Sequence, residues 1–228
     1  MPLVIFLVLG ALQLFMIFQA RIMAQYAVYK ATRAGALMHG NCAAMTHTAV
    51  AALLPSITRA DSPVALADAF FRRRNNRYAD GTPQHNGQIV ELYRESPLAN
   101  TILASQAAED NRWDQSPTLE RLDVRMIYWY RLKIPFADWV MSRMFLAHYN
   151  LRAYDDVNPL MAAESRAGWP DAPTSSFAAE AWPGGSLGAN MLNWAARGHY
   201  LFPIRVTASM RMMVPPARSN FPSQECPL

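Results

Sequence analysis

The chain has 228 residues, of which 52% are hydrophobic and only 17% are charged, with a formal net charge of +4 at pH 7. Such a low charged fraction is unusual for a freely soluble protein. Its basic residues are scattered apart from Arg72, Arg73, Arg74 and Arg77, a run typical of a solvated face, so we expect no nucleic-acid partner.

The N-terminal segment is the most informative part of the sequence. Residues 1–20 carry no charge, and Met1 to Phe18 is apolar apart from Pro2, Gly10 and Gln13. As a helix the apolar run spans ~27 Å, close to the ~30 Å hydrocarbon core of a bilayer. It either lies in a membrane, or packs against copies of the chain, or does each at a different time. No positive residue precedes it and the helical pattern continues beyond it, so we do not expect a cleaved secretory signal.

Small residues follow in a regular pattern, which we call the alanine stripe: Ala20, Ala24, Ala27, Ala31 and Ala34. Their spacing of three or four residues places them on one side of a helix, where small side chains let another backbone approach closely. We expect this stripe, together with Phe6, Leu9, Phe15 and Gln19, to pack against neighbouring helices. A second stripe lies beside it and consists of Ile22, Tyr26, Tyr29 and Arg33.

The first strong helix breaker is Pro55, which predicts one helix from about Leu3 to about Leu53. Gly35, Gly40 and Asn41 are weak points at which this helix can bend or end. Uninterrupted, it would be ~75 Å long, so its N-terminal half is expected to protrude.

The next elements are short. Residues 55–61 read as a connector, and Ser62 followed by Pro63 predicts the start of a helix that ends near Arg74. A polar loop is expected over 75–88 and a second short helix over 96–106.

Two segments alternate between apolar and polar residues, over 122–134 and 204–214, and each predicts a half-buried strand. An amphipathic helix is expected over 136–148 between them. We expect the two strands to pair in one antiparallel sheet that packs on the C-terminal half of the long helix, and residues 155–190 to form a surface excursion. The predicted class is α+β, with an N-terminal apolar helix over 1–54 and a globular extracytoplasmic head over 55–228.

Few residues suggest chemistry. His39 and Cys42 have the i, i+3 spacing of a helical metal pair but lack a clear third ligand. The oxygen-rich run Asp155, Asp156 and Asn158 lacks the spacing of a calcium loop, and the Gly184–Gly188 run has no lysine after it. We therefore expect no metal, no cofactor and no enzymatic activity.

The two cysteines, Cys42 and Cys226, belong to no Cys-x-x-Cys pair. If the head lies outside the cytoplasm, a disulfide between them would tie the C-terminal tail to the long helix. The alternative is two unrelated thiols.

A long apolar N-terminal helix that leads directly into one α+β head is the plan of the type IV pilins. In detail, the run from Ala11 to Arg21 and the segment Lys30-Ala31-Thr32-Arg33-Ala34-Gly35-Ala36 resemble the TadE-like pilins of tight-adherence (type IVc) pilus systems. The segments from Val124 to Phe136 and from Phe202 to Met212 resemble large-headed members of that family. The resemblance is strong over about residues 1–55, suggestive over the two strands, and absent from 75–118 and 155–198.

The resemblance implies a structural subunit, major or minor, of a bacterial surface filament used in adhesion. Its expected partners are copies of itself or other pilins, the inner-membrane pilus assembly machinery, and membrane lipid before assembly. The family usually has a charged leader, a cleavage site and a glutamate, none of which precedes Met1; Pro2 corresponds to the proline that often follows that glutamate. Processing by a prepilin peptidase is thus implied by the family only. The alternative function is an extracytoplasmic binding or enzymatic domain with a permanent transmembrane anchor.

Overall fold

The computed structural model describes residues 2–58, 61–78, 87–98, 100, 102, 121–148, 181–182, 185–186 and 200–226. Helices and an antiparallel sheet together give the expected α+β class. The chain divides into two compact units, one made of Met1–Phe15 and Arg131–Phe202 and the other of Met16–Tyr130 and Pro203–Leu228. This division does not coincide with residue 54. The assignment of 1–54 to a membrane or filament core and of 55–228 to a head stays a prediction.

The N-terminal region forms two helices, α1 (Pro2–Leu37) and α2 (Cys42–Ile57), so the prediction of one uninterrupted helix is wrong. The break lies at two of the predicted weak points. His39 and Gly40 adopt positive φ values of 55° and 77°, and Asn41 then caps α2 by accepting a hydrogen bond from the Ala44 N–H at 3.0 Å. Pro55 does not end α2, because the helix continues to Ile57.

Residues distant in sequence hold this break in place. A Cβ atom on Gly40 would lie 2.4 Å from the Phe221 ring, so that ring occupies space that only glycine leaves open. The His39 carbonyl accepts hydrogen bonds from the Ala217 N–H and the Asn220 side chain, and the Met213 N–H donates to the Ala36 carbonyl. The C-terminal tail thus supplies donors for carbonyls that the end of α1 leaves without a helical partner.

Arg94 lies at the centre of these contacts and is fully buried. Its guanidinium donates to the carbonyls of Gly40 and Asn220, each at 2.7 Å, and to that of Ser223. The same group stacks 3.9 Å from the centroid of the Phe221 ring. Burial lowers the pKa of Arg94 to about 10, and the hydrogen bonds to three carbonyls offset part of the cost of burying the cation. We call Arg94, the Cys42–Cys226 disulfide and residues 213–226 the C-terminal clamp.

The disulfide joins Cys42, the first residue of α2, to Cys226 near the end of the chain. The structure thus contains the bridge, which is one of the two alternatives that the sequence leaves open.

The predicted short helices are confirmed at α3 (Pro63–Arg73) and α4 (Ala137–His148). In α3 the Ser62 hydroxyl accepts a hydrogen bond from the Ala65 N–H and Pro63 is the first helical residue, as the sequence indicates. The helix predicted over 96–106 is wrong at its start, because Ser96 ends a strand and neither Pro97 nor Leu98 is helical. Its remaining residues lie largely outside the described part of the chain, as do 79–86 of the predicted polar loop.

In the described part of the chain, three strands form the main sheet in the order β1 (Val90–Ser96), β2 (Arg121–Arg131) and β5 (Leu201–Arg211). Strand β1, which the sequence analysis did not predict, runs antiparallel to β2 with Leu92 opposite Met126. The Leu132 N–H donates to the Tyr200 carbonyl near one end of β2, and Arg121 bonds Ser209 near the other. Strands β2 and β5 are therefore antiparallel, which confirms the predicted pairing.

Within the predicted surface excursion, the described residues form two antiparallel strands of two residues each, β3 (Ala181–Trp182) and β4 (Gly185–Ser186).

The sheet packs against the helices at Gly35. A Cβ atom there would lie 2.7 Å from the Met45 sulfur and 2.8 Å from a methyl carbon of Leu122, so α1, α2 and β2 meet at this residue. The side chains of Ser56 and Tyr128 form a hydrogen bond of 3.0 Å between α2 and β2. The predicted packing of the sheet on the C-terminal half of the N-terminal helical region is confirmed.

Both outer strands of this sheet have partners from the same chain. Along β1, the Arg94 N–H donates to the Gln224 carbonyl and the Cys226 N–H donates to the Leu92 carbonyl. Further along the same edge, the Asn76 side chain bonds both the N–H and the carbonyl of Val90. On β5, the Thr207 carbonyl accepts a hydrogen bond from the Gln25 side chain of α1 at 3.1 Å. The partners along β1 disfavour the addition of a strand from another molecule at that edge.

We predict that Arg94→Met destabilises the chain strongly, by about 2–4 kcal/mol, because three carbonyls lose their donor and the carbonyl of Gly40 among them is buried. Thermal unfolding of the full chain in mild detergent measures this effect. Arg125→Met is the matched control, since Arg125 forms a partly exposed ion pair with Glu95 on the same sheet and should cost ~1 kcal/mol or less. Equal melting temperatures for the two variants would contradict the central role of Arg94 in the clamp.

Candidate assembly and membrane surface

One side of α1 is lined with exposed side chains, most of them large and apolar. Its members are separated by three or four residues and therefore lie on one side of the helix. We call this set the outward stripe: Val4, Val8, Ala11, Phe15, Phe18, Ile22, Tyr26, Tyr29 and Arg33. Phe15 is 66% exposed and Phe18 61% exposed, which are high values for aromatic side chains. Contiguous apolar surface of this kind marks a place where a protein meets another protein or a membrane.

The alanine stripe lies on the opposite side and is buried by the chain itself. Ala20, Ala24, Ala27 and Ala31 are at most 2% exposed, and Ala34 is half-buried. The close backbone approach that these small residues permit thus takes place inside the chain. A role for the stripe between chains stays a prediction, but it would first require this packing to open. We therefore take the outward stripe as the candidate surface.

The other residues expected to assemble differ in their surroundings. Phe15 belongs to the outward stripe and Gln19 is exposed beside it, whereas Leu9 is half-buried. The side chain of Phe6 lies outside the described residues. The stripe of Ile22, Tyr26, Tyr29 and Arg33 is visible in the sequence, but no assembly role was predicted for it. The signal that could have revealed this role is the set of large apolar side chains at helical spacing.

Gln13 is a polar residue within the apolar run, and its side chain is completely buried. Its Oε1 accepts a hydrogen bond from the Ile134 N–H at 2.9 Å, while its Nε2 has no hydrogen-bond partner among the described residues. Ile134 follows β2 and lies in the same compact unit as Gln13. One side of the apolar run is therefore covered at this point by the chain's own backbone.

The apolar character of α1 extends far enough to cross a bilayer. Its stretch Leu7–Leu37 has 31 residues, is apolar enough to cross a bilayer, and is for the most part not buried inside the chain. By length and composition α1 is a candidate membrane span. The core helix of a soluble protein would instead be mostly buried.

The candidate metal residues do not form a site in the described part of the chain. Cys42 is bonded to Cys226 and cannot act as a thiolate ligand, and the Nδ1 of His39 donates to the Pro215 carbonyl at 2.7 Å. Within the described ranges no three His, Cys, Asp or Glu residues are grouped so as to hold a metal ion. Asp155, Asp156 and Asn158 lie outside these ranges, and of the Gly184–Gly188 run only Gly185 and Ser186 are described.

Comparison with known proteins yields no match to a protein-family model, to a curated protein or to a solved structure.

We predict that Ala27→Leu and Ala31→Leu each destabilise the folded chain by about 1–3 kcal/mol, because a larger side chain overpacks a fully buried position. Melting temperatures of the full chain in mild detergent report the effect. Ala51→Leu is the matched control, since Ala51 is an exposed alanine on α2 and should tolerate leucine. Unchanged melting temperatures of the Ala27 and Ala31 variants would contradict the burial of the alanine stripe inside the chain. The stripe would then again be a candidate for contacts between chains.

Proposed function

We propose that this chain is a pilin-like structural subunit, major or minor, of a bacterial tight-adherence or type IV-type surface filament. In this proposal α1 packs with neighbouring helices in the filament core, and the head is exposed for lateral contacts and adhesion. The observation that supports it most is the outward stripe, a face of large exposed apolar side chains on a helix of membrane-spanning length. The resemblance of residues 1–55 to TadE-like pilins points the same way.

The outward stripe needs an apolar partner before and after assembly. In the inner membrane, lipid would cover it; in a filament, neighbouring helices would replace the lipid. Because lipid chains and helix side chains are similarly apolar, the net free energy of this exchange is small. The exchange can then be reversible or driven by an assembly machine. Both states leave the buried alanine stripe in place.

The covered β1 edge of the main sheet also favours helix-based assembly. Strand β1 is bonded to Asn76 and to residues 224–226, and β5 accepts a bond from Gln25. Growth by strand addition would have to displace these partners, whereas association through the outward stripe displaces none of them.

The Gln13 contact sets a requirement for the proposal. A non-helical backbone segment such as that around Ile134 is not tolerated in hydrocarbon. Insertion of residues 2–20 into a bilayer would therefore separate Ile134 from Gln13. The Gln13 amide would then need a new partner, which a polar group on a neighbouring helix can supply.

A second candidate function is an extracytoplasmic binding or enzymatic domain held by a permanent membrane anchor. This candidate is favoured by the burial of Ala20, Ala24, Ala27 and Ala31 inside the chain. A membrane anchor that does not pack against other chains needs no small residues for contacts between chains. The two candidates differ in whether α1 has specific protein neighbours.

The deciding experiment is cryo-electron microscopy of material sheared from producing cells, with peptide mass spectrometry of the same sample. We predict that this chain is found in fibres, as the repeating unit if it is a major subunit or in trace amounts if it is a minor one. In the first case, the α1 helices should form the fibre core and bury Phe15 and Phe18. Recovery of the chain solely in the membrane pellet would reject the filament and favour the permanent anchor.

A further inference from the structure

The charged residues of the N-terminal helices are all basic. The first acidic residue of the chain is Asp61, and the charged side chains of α1 are Arg21, Lys30 and Arg33. All three follow the uncharged residues 1–20. An apolar run that ends in cations without counter-charges on its own helix indicates an anionic partner close to the end of the run.

These cations are available for such a partner. Arg21 and Arg33 are exposed, and Lys30 is half-buried with its Nζ 5.4 Å from the centroid of the Tyr26 ring. The described ion pairs include those of Arg72 with Asp68, Arg121 with Asp123 and Arg125 with Glu95, and none of these three involves a cation of α1.

Two tyrosines lie among these cations. Tyr26 and Tyr29 are 49% and 47% exposed and belong to the outward stripe. Tyrosine is enriched where hydrocarbon meets lipid headgroups, because its ring is apolar and its hydroxyl is polar. Long basic side chains at the same depth reach into the headgroup layer with their charged ends. We call Arg21, Tyr26, Tyr29, Lys30 and Arg33 the basic-aromatic belt.

We propose that the basic-aromatic belt binds anionic phospholipid headgroups in the leaflet that faces the head, and thereby sets how deeply α1 enters the bilayer. This inference rests on the membrane stage of the proposed function. The uncharged run lies in hydrocarbon, Arg21 marks its boundary, and Tyr26 to Arg33 lie among headgroups. Charge complementarity favours anionic lipid over zwitterionic lipid at this position.

The test uses the full chain in a neutral detergent, mixed with phosphatidylglycerol or with phosphatidylcholine of the same acyl chains. Native mass spectrometry counts the lipids that remain bound. Each cation near an anionic surface adds roughly fivefold in affinity. We expect the three together to favour phosphatidylglycerol by on the order of 10- to 100-fold, a preference that weakens as salt rises to ~1 M and screens the charges.

Three variants assign the preference to the belt. The triple change Arg21→Gln, Lys30→Gln and Arg33→Gln should abolish it. The matched control, Arg74→Gln with Arg77→Gln and Arg218→Gln, removes the same charge from exposed positions elsewhere and should retain it. Arg21→Lys with Arg33→Lys keeps the charge and should also retain it, which separates lipid binding from folding if the neutral triple variant unfolds.

Equal binding of the two lipids by the unaltered chain, or an undiminished preference in the triple variant, would overturn the proposal. A separate measurement tests the membrane stage on which it rests. The chain is reconstituted in vesicles of phosphatidylcholine alone and extracted at alkaline pH. Extraction of the chain from these vesicles would reject α1 as a membrane span, whereas retention together with no lipid preference in detergent would reject the belt alone.

Discussion

Helix α1 has to meet two different environments over residues 13–33. On one side, small side chains and the Gln13 amide pack inside the chain; on the other, aromatic and branched side chains remain exposed. The buried Thr32 hydroxyl is satisfied within the helix, because it donates to the Val28 carbonyl one turn before it. This two-sidedness is the constraint on which the functional account depends, because a helix fully covered by its own chain would have no surface left to offer lipid or another subunit.

The C-terminal clamp determines where that helix ends. The positive φ values at His39 and Gly40 are held by Phe221, by Arg94 and by donors from residues 213–220, and the disulfide fixes the tail beside the first residue of α2. The same tail covers the edge of β1. One segment therefore closes the sheet and ends α1, so that the end of the apolar helix depends on the folding and oxidation of residues almost 200 positions away along the chain.

Local patterns predicted the elements that local chemistry dictates. The Ser62-Pro63 start of α3, the alternation in β2 and β5, and the helical conformation of α4 all follow from side chains within each element. Strand β1 was missed because its inward positions are Val90, Leu92 and Arg94, and a buried arginine breaks the apolar alternation. The helix break was placed among weak points but not assigned, since its cause is a ring and a guanidinium from distant parts of the sequence. Both sides of α1 were visible in the sequence as stripes. The sequence of the helix alone, however, does not determine which stripe the rest of the chain buries.

The central claim, that the outward stripe is the surface between subunits, can be tested most directly by photo-crosslinking in producing cells. Benzoylphenylalanine introduced in place of Phe18 or Tyr26 keeps an aromatic side chain on the stripe, and the same replacement at Phe71, an exposed phenylalanine of α3, serves as the control. The account predicts a covalent adduct with a second copy of this chain, or with another filament subunit, from Phe18 and Tyr26 but not from Phe71. Adducts with lipid alone from the two stripe positions would contradict it and identify α1 as a permanent anchor.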